Sequence, residues 1–417
     1  MAWATKLGDI AKRLRSQQIA ILAEQNENRR EKALRRFTSK EAAALLGITE
    51  SHLRNRVAGG EGFPEGELSG KNRTFSLVEI NAARQWLFDS TGNTKYLTGR
   101  RGADGLCVIA LTNFKGGVGK STNSTHLAQY LALRGYRVLL VDLDAQASTT
   151  ALFGLDPARQ IGRGPDSEVL AGGTSIEGWI SREPGKEEEA VRNAIRPTYW
   201  PNIDLVAGSA VLHRTEDQLK QRQNMTSGPL PEVEFYAEVR AFLKCTGASY
   251  DIAILDCRPD INMLSVNAFA AANGLVIPAL ATNLDLQSMT EFLAFLGGTE
   301  QRISKWEGRD WPGWAFVRVL VNRFNAQSRP QVEIVDNLNV VLRELMIRAP
   351  MVETSALGSA GNVKWTLYEY VPAKSESGSY RRAVLAMDAV GAAVEAEVLS
   401  FWGRKPIEAP AFDVAAE

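Results

Sequence analysis

Residues 113–121 read "NFKGGVGKS". The stretch nearly fits G-x-x-x-x-G-K-[ST], a turn whose backbone N–H groups cradle phosphates. Gly119, Lys120 and Ser121 fill the last three places. Phe114 stands where the first glycine belongs, and an unasked-for lysine, Lys115, follows it. An apolar strand pattern over 106–113 precedes the loop, and a helical pattern over 120–134 follows it. That is the context such a loop needs. The N–H groups of Gly116, Gly117, Val118, Gly119 and Lys120 can wrap an anion, helped by the helix N-terminus. Lys120 would neutralise the β- and γ-phosphates of a nucleotide, and Ser121, with Thr122 beside it, would sit at a Mg²⁺ ion.

Outward from the loop, the runs "LCVIALTNF", "RVLLVDLD", "IDLVAG", "YDIAILDC", "GLVIPAL" and "AFVRVLVNRF" alternate with helical stretches. Short, almost wholly apolar runs are strands buried on both faces of a parallel sheet. The spacing therefore predicts an α/β domain over 106–405 with a doubly wound, mostly parallel sheet. Residues 156–200 read as an irregular insertion, and a helix is expected over 380–402. Two runs end in carboxylates, Asp142 with Asp144 and Asp256. Ligands of open α/β sheets bind at these strand ends. Asp256 is placed to act on the Mg²⁺ shell and Asp144 to orient an attacking water. Asp142 is read as a cap for the next helix.

The N-terminal quarter follows a different pattern. Residues 5–35 carry Leu7, Ile10, Leu14, Ile21 and Leu22 as one apolar stripe, a helix that could pair with a second copy. Within "FTSKEAAALLGITESHLRNRVAGG", Thr38 and Glu41 form a capping box, Gly47 closes that helix, and Thr49 can cap a second over 50–57. "ELSGKNRTFSL" then reads as strand, turn, strand, and Ser76 with Glu79 opens a helix over 77–88. This is a winged helix-turn-helix over 37–90. Its second helix offers Ser51, His52, Arg54, Asn55 and Arg56 to a DNA major groove, with Lys71 and Arg73 on the wing near phosphates. Residues 91–105 look like a linker, 1–36 like a possible dimerisation helix, and 406–417 like a flexible tail.

The chain has 417 residues and zero net charge, with 48 Lys+Arg and 48 Asp+Glu. The balance is uneven: residues 1–104 hold 18 basic and 12 acidic side chains, +6, leaving −6 for the rest. A basic front module suits a polyanionic partner. Cys107, Cys245 and Cys257 form no C-x-x-C pair, so neither a zinc site nor a disulfide framework is expected, and a reducing cytoplasm fits. No leader-like or membrane-spanning run is visible, and no membrane partner is expected.

Together, "KGGVGKST", "DLDAQAS" and "DCRPD" resemble the deviant Walker A ATPases of the ParA/MinD family. The front module, "ATNLDLQSMTEFLAFL" and "KWTLYEY" resemble its long-type plasmid partition branch, most like RepA of repABC plasmids. The resemblance implies a homodimer with ATP and Mg²⁺ sandwiched, in which Lys115 reaches the partner's phosphates and the tight turn begins at Gly116–Gly117. It implies Asn322 as the adenine contact. It implies DNA coating on the nucleoid in the ATP state, with Arg323, Lys364, Arg381 and Arg382 as candidate contacts. It implies stimulation by a ParB/RepB-type centromere-binding partner, and repression of its own operon through the winged module. Arg258 departs from the family's usual proline. Two other readings stay open: a repressor that only senses nucleotide, and a MinD-like membrane-positioning ATPase. The latter uses a basic amphipathic C-terminal helix, which "GRKPIEAPAFDVAAE" does not offer.

Overall fold

The computed structural model describes residues 32–70, 72–155, 175–225, 235–308, 311–357, 365–372, 375 and 377–405, with positions 6, 9, 10, 13, 16 and 17 before them. Residues Met1–Arg35 and Arg36–Glu417 are separate units. The six described positions of the first unit's N-terminal part are helical, whereas 32–35 are not, so the helix expected to 35 stops earlier. Most of the expected stripe, and the tail 406–417, lie outside the described residues.

The second unit opens with a three-stranded antiparallel sheet and three helices: β1 (Phe37–Thr38), α1 (Ser39–Leu46), α2 (Glu50–Gly59), β2 (Glu67–Ser69), β3 (Asn72–Phe75) and α3 (Leu77–Thr91). Both expected capping boxes form. Thr38 and Ser76 accept from the backbones of Glu41 and Glu79, whose carboxylates reach back to the cap N–H groups at 2.8 and 2.7 Å. Gly47 ends α1 in the left-handed region, and Thr49 caps α2. Leu53, 1% exposed, is the buried anchor of α2.

Next come β4 (Cys107–Leu111), α4 (Lys120–Leu133), β5 (Val138–Asp142), α5 (Ser148–Leu152), α6 (Ile176–Ile180), α7 (Glu187–Ala194), β6 (Arg196–Pro197) and β7 (Ile203–Val206). They are followed by α8 (Leu212–Met225), α9 (Glu238–Cys245), β8 (Ile252–Asp256), α10 (Met263–Ala271) and β9 (Gly274–Leu280). Then come α11 (Asn283–Glu307), β10 (Phe316–Asn322), α12 (Arg329–Leu342) and α13 (Ser377–Phe401). The sheet order is β10-β9-β4-β8-β5-β7-β6, parallel throughout except for the antiparallel edge pair β6–β7. The described part of the expected insertion, 175–200, is not irregular: it holds α6, α7 and β6. Ile176, Trp179, Ile180, Ala190 and Ala194 bury themselves in the main core, which outweighs the Gly- and Glu-rich local composition.

Register fixes the working edge. Leu111 and Asp142 both pair with Asp256, so the start of the loop and two carboxylates share one end of the sheet.

The two modules of this unit are tied together. Arg84 on α3, 5% exposed, donates to Leu45 O at the end of α1 and to Leu133 O at the end of α4. Burial, with Arg134 nearby, pushes its pKa down to about 9. The stretch 91–105, read as a linker, contains a 3₁₀ turn at Thr94–Tyr96 and is packed. Arg100 N–H donates to Asp251 at 3.1 Å, and Arg404 beyond α13 grips Gly99 O and Asp104.

Helix α13 closes over α4. Glu395, 2% exposed, accepts from Tyr130 Oη at 3.0 Å, Tyr136 Oη at 2.9 Å and Arg134 Nε at 3.1 Å. The helices meet at Gly391, where a Cβ would stand 2.5 Å from the Tyr130 ring. Gly391→Val should therefore lower stability by about 1–3 kcal/mol through overpacking. Denaturant midpoints would show it; an unchanged midpoint would mean the helices separate freely there.

Candidate nucleotide site

The loop is held in shape by its own sequence. Gly117 and Gly119 take φ of 75° and 93°, a region that disfavours side chains. Gly119 has no space for one either: a Cβ would lie 2.1 Å from Asn322 Nδ2. Asn322 ends β10, is 5% exposed, and donates to Val118 O at 2.7 Å. Asn113 anchors the other side, donating to Pro278 O at 2.7 Å and accepting from Lys115 N at 3.1 Å. Phe114 is an apolar anchor against α11, its ring 4.4 Å from Phe292 and 5.4 Å from Phe295. That gives the displaced glycine a physical reason: the position is used for packing, and the left-handed turn falls at Gly117.

Lys120 is the first residue of α4 and 7% exposed. Its ammonium donates to Asn113 O at 3.1 Å and Lys115 O at 2.9 Å. Burial lowers its pKa, and Asp256 opposes that shift. Asp256 has no solvent exposure and accepts from Thr149 Oγ1 at 2.7 Å and Ser124 Oγ at 3.2 Å. Its pKa is pushed up, chiefly by burial, while the hydroxyls of Thr149 and Ser121 pull it down. Asp142 accepts from Thr150 N at 2.9 Å, Thr150 Oγ1 at 2.7 Å and Asp144 N at 3.1 Å, the structural role read from the sequence. Burial and the facing Asp256 push the Asp142 pKa well above the usual carboxylate range. Asp144, 9% exposed, accepts from Gln146 N at 2.9 Å, just before Ala147 with φ of 53°. A non-glycine residue there stores strain, a frequent trait of segments that move at working sites.

Lys115 forms an ion pair with Asp285 at 2.9 Å. Asp285, 4% exposed, lies in the first turn of α11, and its N–H is capped by Thr282. Arg258 pairs with Asp260 at 2.8 Å. The structure thus gathers Lys115 to Ser121, Asp142, Asp144, Asp256 and Asn322 at one edge. Sequence reasoning missed Asn113, Ser124, Thr149 and Asp285. Only Asp285 carried a local signal, as the residue three after a capping threonine.

The candidate DNA contacts are spread wider. Ser51, Arg54 and Asn55 are exposed on α2, and Arg54 pairs with Glu50 at 3.5 Å. Arg56 instead turns inward: Nε donates to His52 Nε2 at 3.1 Å, and the guanidinium lies 5.3 Å from the centre of the Trp86 ring. Arg73 is half-buried and donates to Glu65 O. Arg323, Arg381 and Arg382 are exposed, while Lys71 and Lys364 lie outside the described residues.

A seven-stranded, mostly parallel sheet with a glycine loop entering α4 defines a P-loop ATPase. An AAA domain family profile matches residues 106–305. A putative replication protein A of Rhizobium rhizogenes is 34% identical over 90% of this chain and 89% of its own length. Protein SopA of Escherichia coli is 27% identical over 85% of this chain and 86% of its own length. In fold, a solved structure titled Partition Protein covers 93% of this chain and 97% of its own, with TM-score 0.57 and 17% identity. An ATP complex of Cyanothece McdA covers 73% of this chain and 99% of its own, with TM-score 0.53 and 20% identity. The chain belongs to the ParA family of deviant Walker A ATPases.

It is an ATP hydrolase. The residues present fit ATP with Mg²⁺: the loop's backbone donors and Lys120 would hold the phosphates, and Ser121 with Asp256 would offer only hard oxygen ligands, as Mg²⁺ prefers. Gly119→Ala should weaken ATP binding at least about tenfold, ~1.4 kcal/mol, because the methyl group displaces Asn322 and the strained φ remains. Wild-type affinity in a nucleotide titration would show that this contact does not shape the loop.

Proposed function

We propose that this chain is a partition ATPase that segregates plasmid DNA, cycling between two DNA-binding modes under control of ATP. The relatives support the partition role: SopA, Soj and ParA are matched, two of them named as chromosome-partitioning proteins. The observation that carries the mechanism is the second lysine of the loop. Lys115 is 32% exposed in its side chain and is held, among the described residues, by one carboxylate, Asp285. Leaving Asp285 for the γ-phosphate of a partner subunit exchanges one anion for another, so the crossing costs little desolvation. In the resulting ATP-sandwich homodimer, Lys115 stabilises charge that develops on the transferred phosphoryl group, as an arginine finger does. Lys120 and the N–H groups of Gly116–Gly119 hold the phosphates, Ser121 and Asp256 hold Mg²⁺, and Asp144 orients the water. Asn322 positions the loop from the side assigned to the base.

The ATP dimer coats DNA without sequence preference through Arg323, Lys364, Arg381 and Arg382. A centromere-bound partner of the ParB/RepB kind stimulates turnover and releases it. Without ATP, the winged module binds the operator through α2, with Ser51, Arg54 and Asn55 outermost, and represses it. Such a protein works in the cytoplasm on the nucleoid. Among the described residues no helix is long and apolar enough to cross a membrane.

Lys120→Ala should abolish nucleotide binding. Lys115→Ala should bind ATP normally and lose turnover by at least tenfold in a phosphate-release assay; undiminished turnover would remove the cross-subunit role.

DNA binding is tested with a random-sequence duplex at one fixed salt concentration, since phosphate contacts make affinity salt-dependent. Binding with ATP and Mg²⁺ but not ADP is expected. Arg54→Ala with Arg56→Ala should spare that binding and weaken operator binding. Equal binding with either nucleotide would point to a repressor that only senses nucleotide.

A further inference from the structure

We propose that the cleft between residues 93–101 and the end of α13 is an anion site that takes a phosphoryl oxyanion. The cleft holds about 260 Å³ and is lined by Lys95, Arg101, Arg404 and Lys405, over Tyr136 and Leu399. Among the described residues no carboxylate lines it. Two carboxylates adjoin it and both are already shared: Asp104 accepts from the Arg404 guanidinium and, at 2.7 Å, from Arg101 N–H, and Glu395 accepts from Tyr136 Oη at 2.9 Å.

The two arginines are fixed by the backbone. Arg101 Nη2 donates to Thr94 O at 2.8 Å and to Leu97 O, and Arg404 Nη1 donates to Gly99 O at 2.7 Å. Those carbonyls are therefore occupied and do not repel an incoming anion. Arg101 Nε is buried without a hydrogen-bond partner among the described residues. Burial, and next the charge of Arg404, lower the Arg101 pKa, so like charges are held together there. Lys95 rests over the Tyr96 ring, 4.6 Å from its centre, and Lys405 is exposed. Neither takes part in an ion pair among the described residues.

Two guanidinium groups fixed by the backbone and two exposed ammonium groups surround this small cleft, while Asp104 and Glu395 are already committed to other donors, and that surplus of positive charge favours an anion. Guanidinium forks match the tetrahedral oxygens of a phosphoryl group. The inference does not depend on the DNA-binding reading. It does place an anion at the seam where the packed stretch 91–105, which follows the winged module, meets the end of the last helix, so occupancy would clamp those two.

The test uses the full chain carrying Lys120→Ala, which removes the cation of the phosphate loop, and pyrophosphate as the probe. Isothermal titration at low salt should show binding that Lys95→Ala with Lys405→Ala weakens at least tenfold. Both side chains are exposed, so the double variant should keep its thermal midpoint in the absence of pyrophosphate. Absence of binding, or binding unaffected by the two substitutions, overturns the proposal. A duplex-competition arm separates sources. Displacement of pyrophosphate by DNA assigns the site to backbone phosphates; failure to displace assigns it to a free small phosphate.

Discussion

Helix α4 is buried on nearly every side, and most of its buried polar side chains find partners on distant elements. Among the described residues, Thr125 Oγ1 and Gln129 Oε1 have no hydrogen-bond partner. Asn123, Ser124, Thr125, His126 and Gln129 are all 3% exposed or less. Buried polar groups need partners or they cost more than an apolar residue would. Asn123 donates to Gly119 O at 2.8 Å, which stiffens the loop itself. Ser124 donates to Asp256, the carboxylate proposed to hold the metal. His126 accepts from Leu367 N–H at 3.0 Å on Nε2, so its Nδ1 carries the proton toward Thr122 O at 2.6 Å. Gln129 donates to Glu369 at 3.0 Å. The helix that presents its N-terminus to phosphate is thus bolted to strand ends, to residues 365–372 and to α13. Its C-terminal carbonyl, through Arg84, is bolted to the winged module.

This arrangement explains how a nucleotide could be felt far from its site. A shift of α4 cannot be absorbed by a fluid surrounding, because interiors are close-packed. The shift must be passed to Glu395 on α13, to Leu367 and to Arg84. The strain at Ala147 and the ion pair of Lys115 with Asp285 lie in the segments next to the helix N-terminus.

What the sequence disclosed was local. The capping boxes at Thr38 and Ser76 act within three residues, the strand runs bury both faces continuously, and the glycine loop is one short motif. Each of these was readable from adjacent residues. What stayed hidden was partnership across distance: His126 meets a residue 241 positions away, and Gln129 meets one 240 positions away. No periodicity encodes such pairs. Asp285 as the holder of Lys115 was hidden for the same reason. Helices α6 and α7 were missed because Gly, Pro and Glu dominate their surroundings, while their few apolar side chains find the core only after the chain is folded. The inward turn of Arg56 needed Trp86, which lies on another helix.

The position of Glu395 has a further consequence, for the order of events on the ribosome. It follows Tyr130 by 265 residues. At ~5–20 residues per second, roughly 15–50 s pass between the emergence of α4 and that of its carboxylate. During that interval Tyr130, Arg134 and Tyr136 have nothing to answer them, and the back of α4 is bare. The phosphate loop is therefore written early and becomes trustworthy late. A nascent chain reads as an ATPase by motif long before its helix is seated, and only the nearly finished polypeptide can hold nucleotide in a settled site.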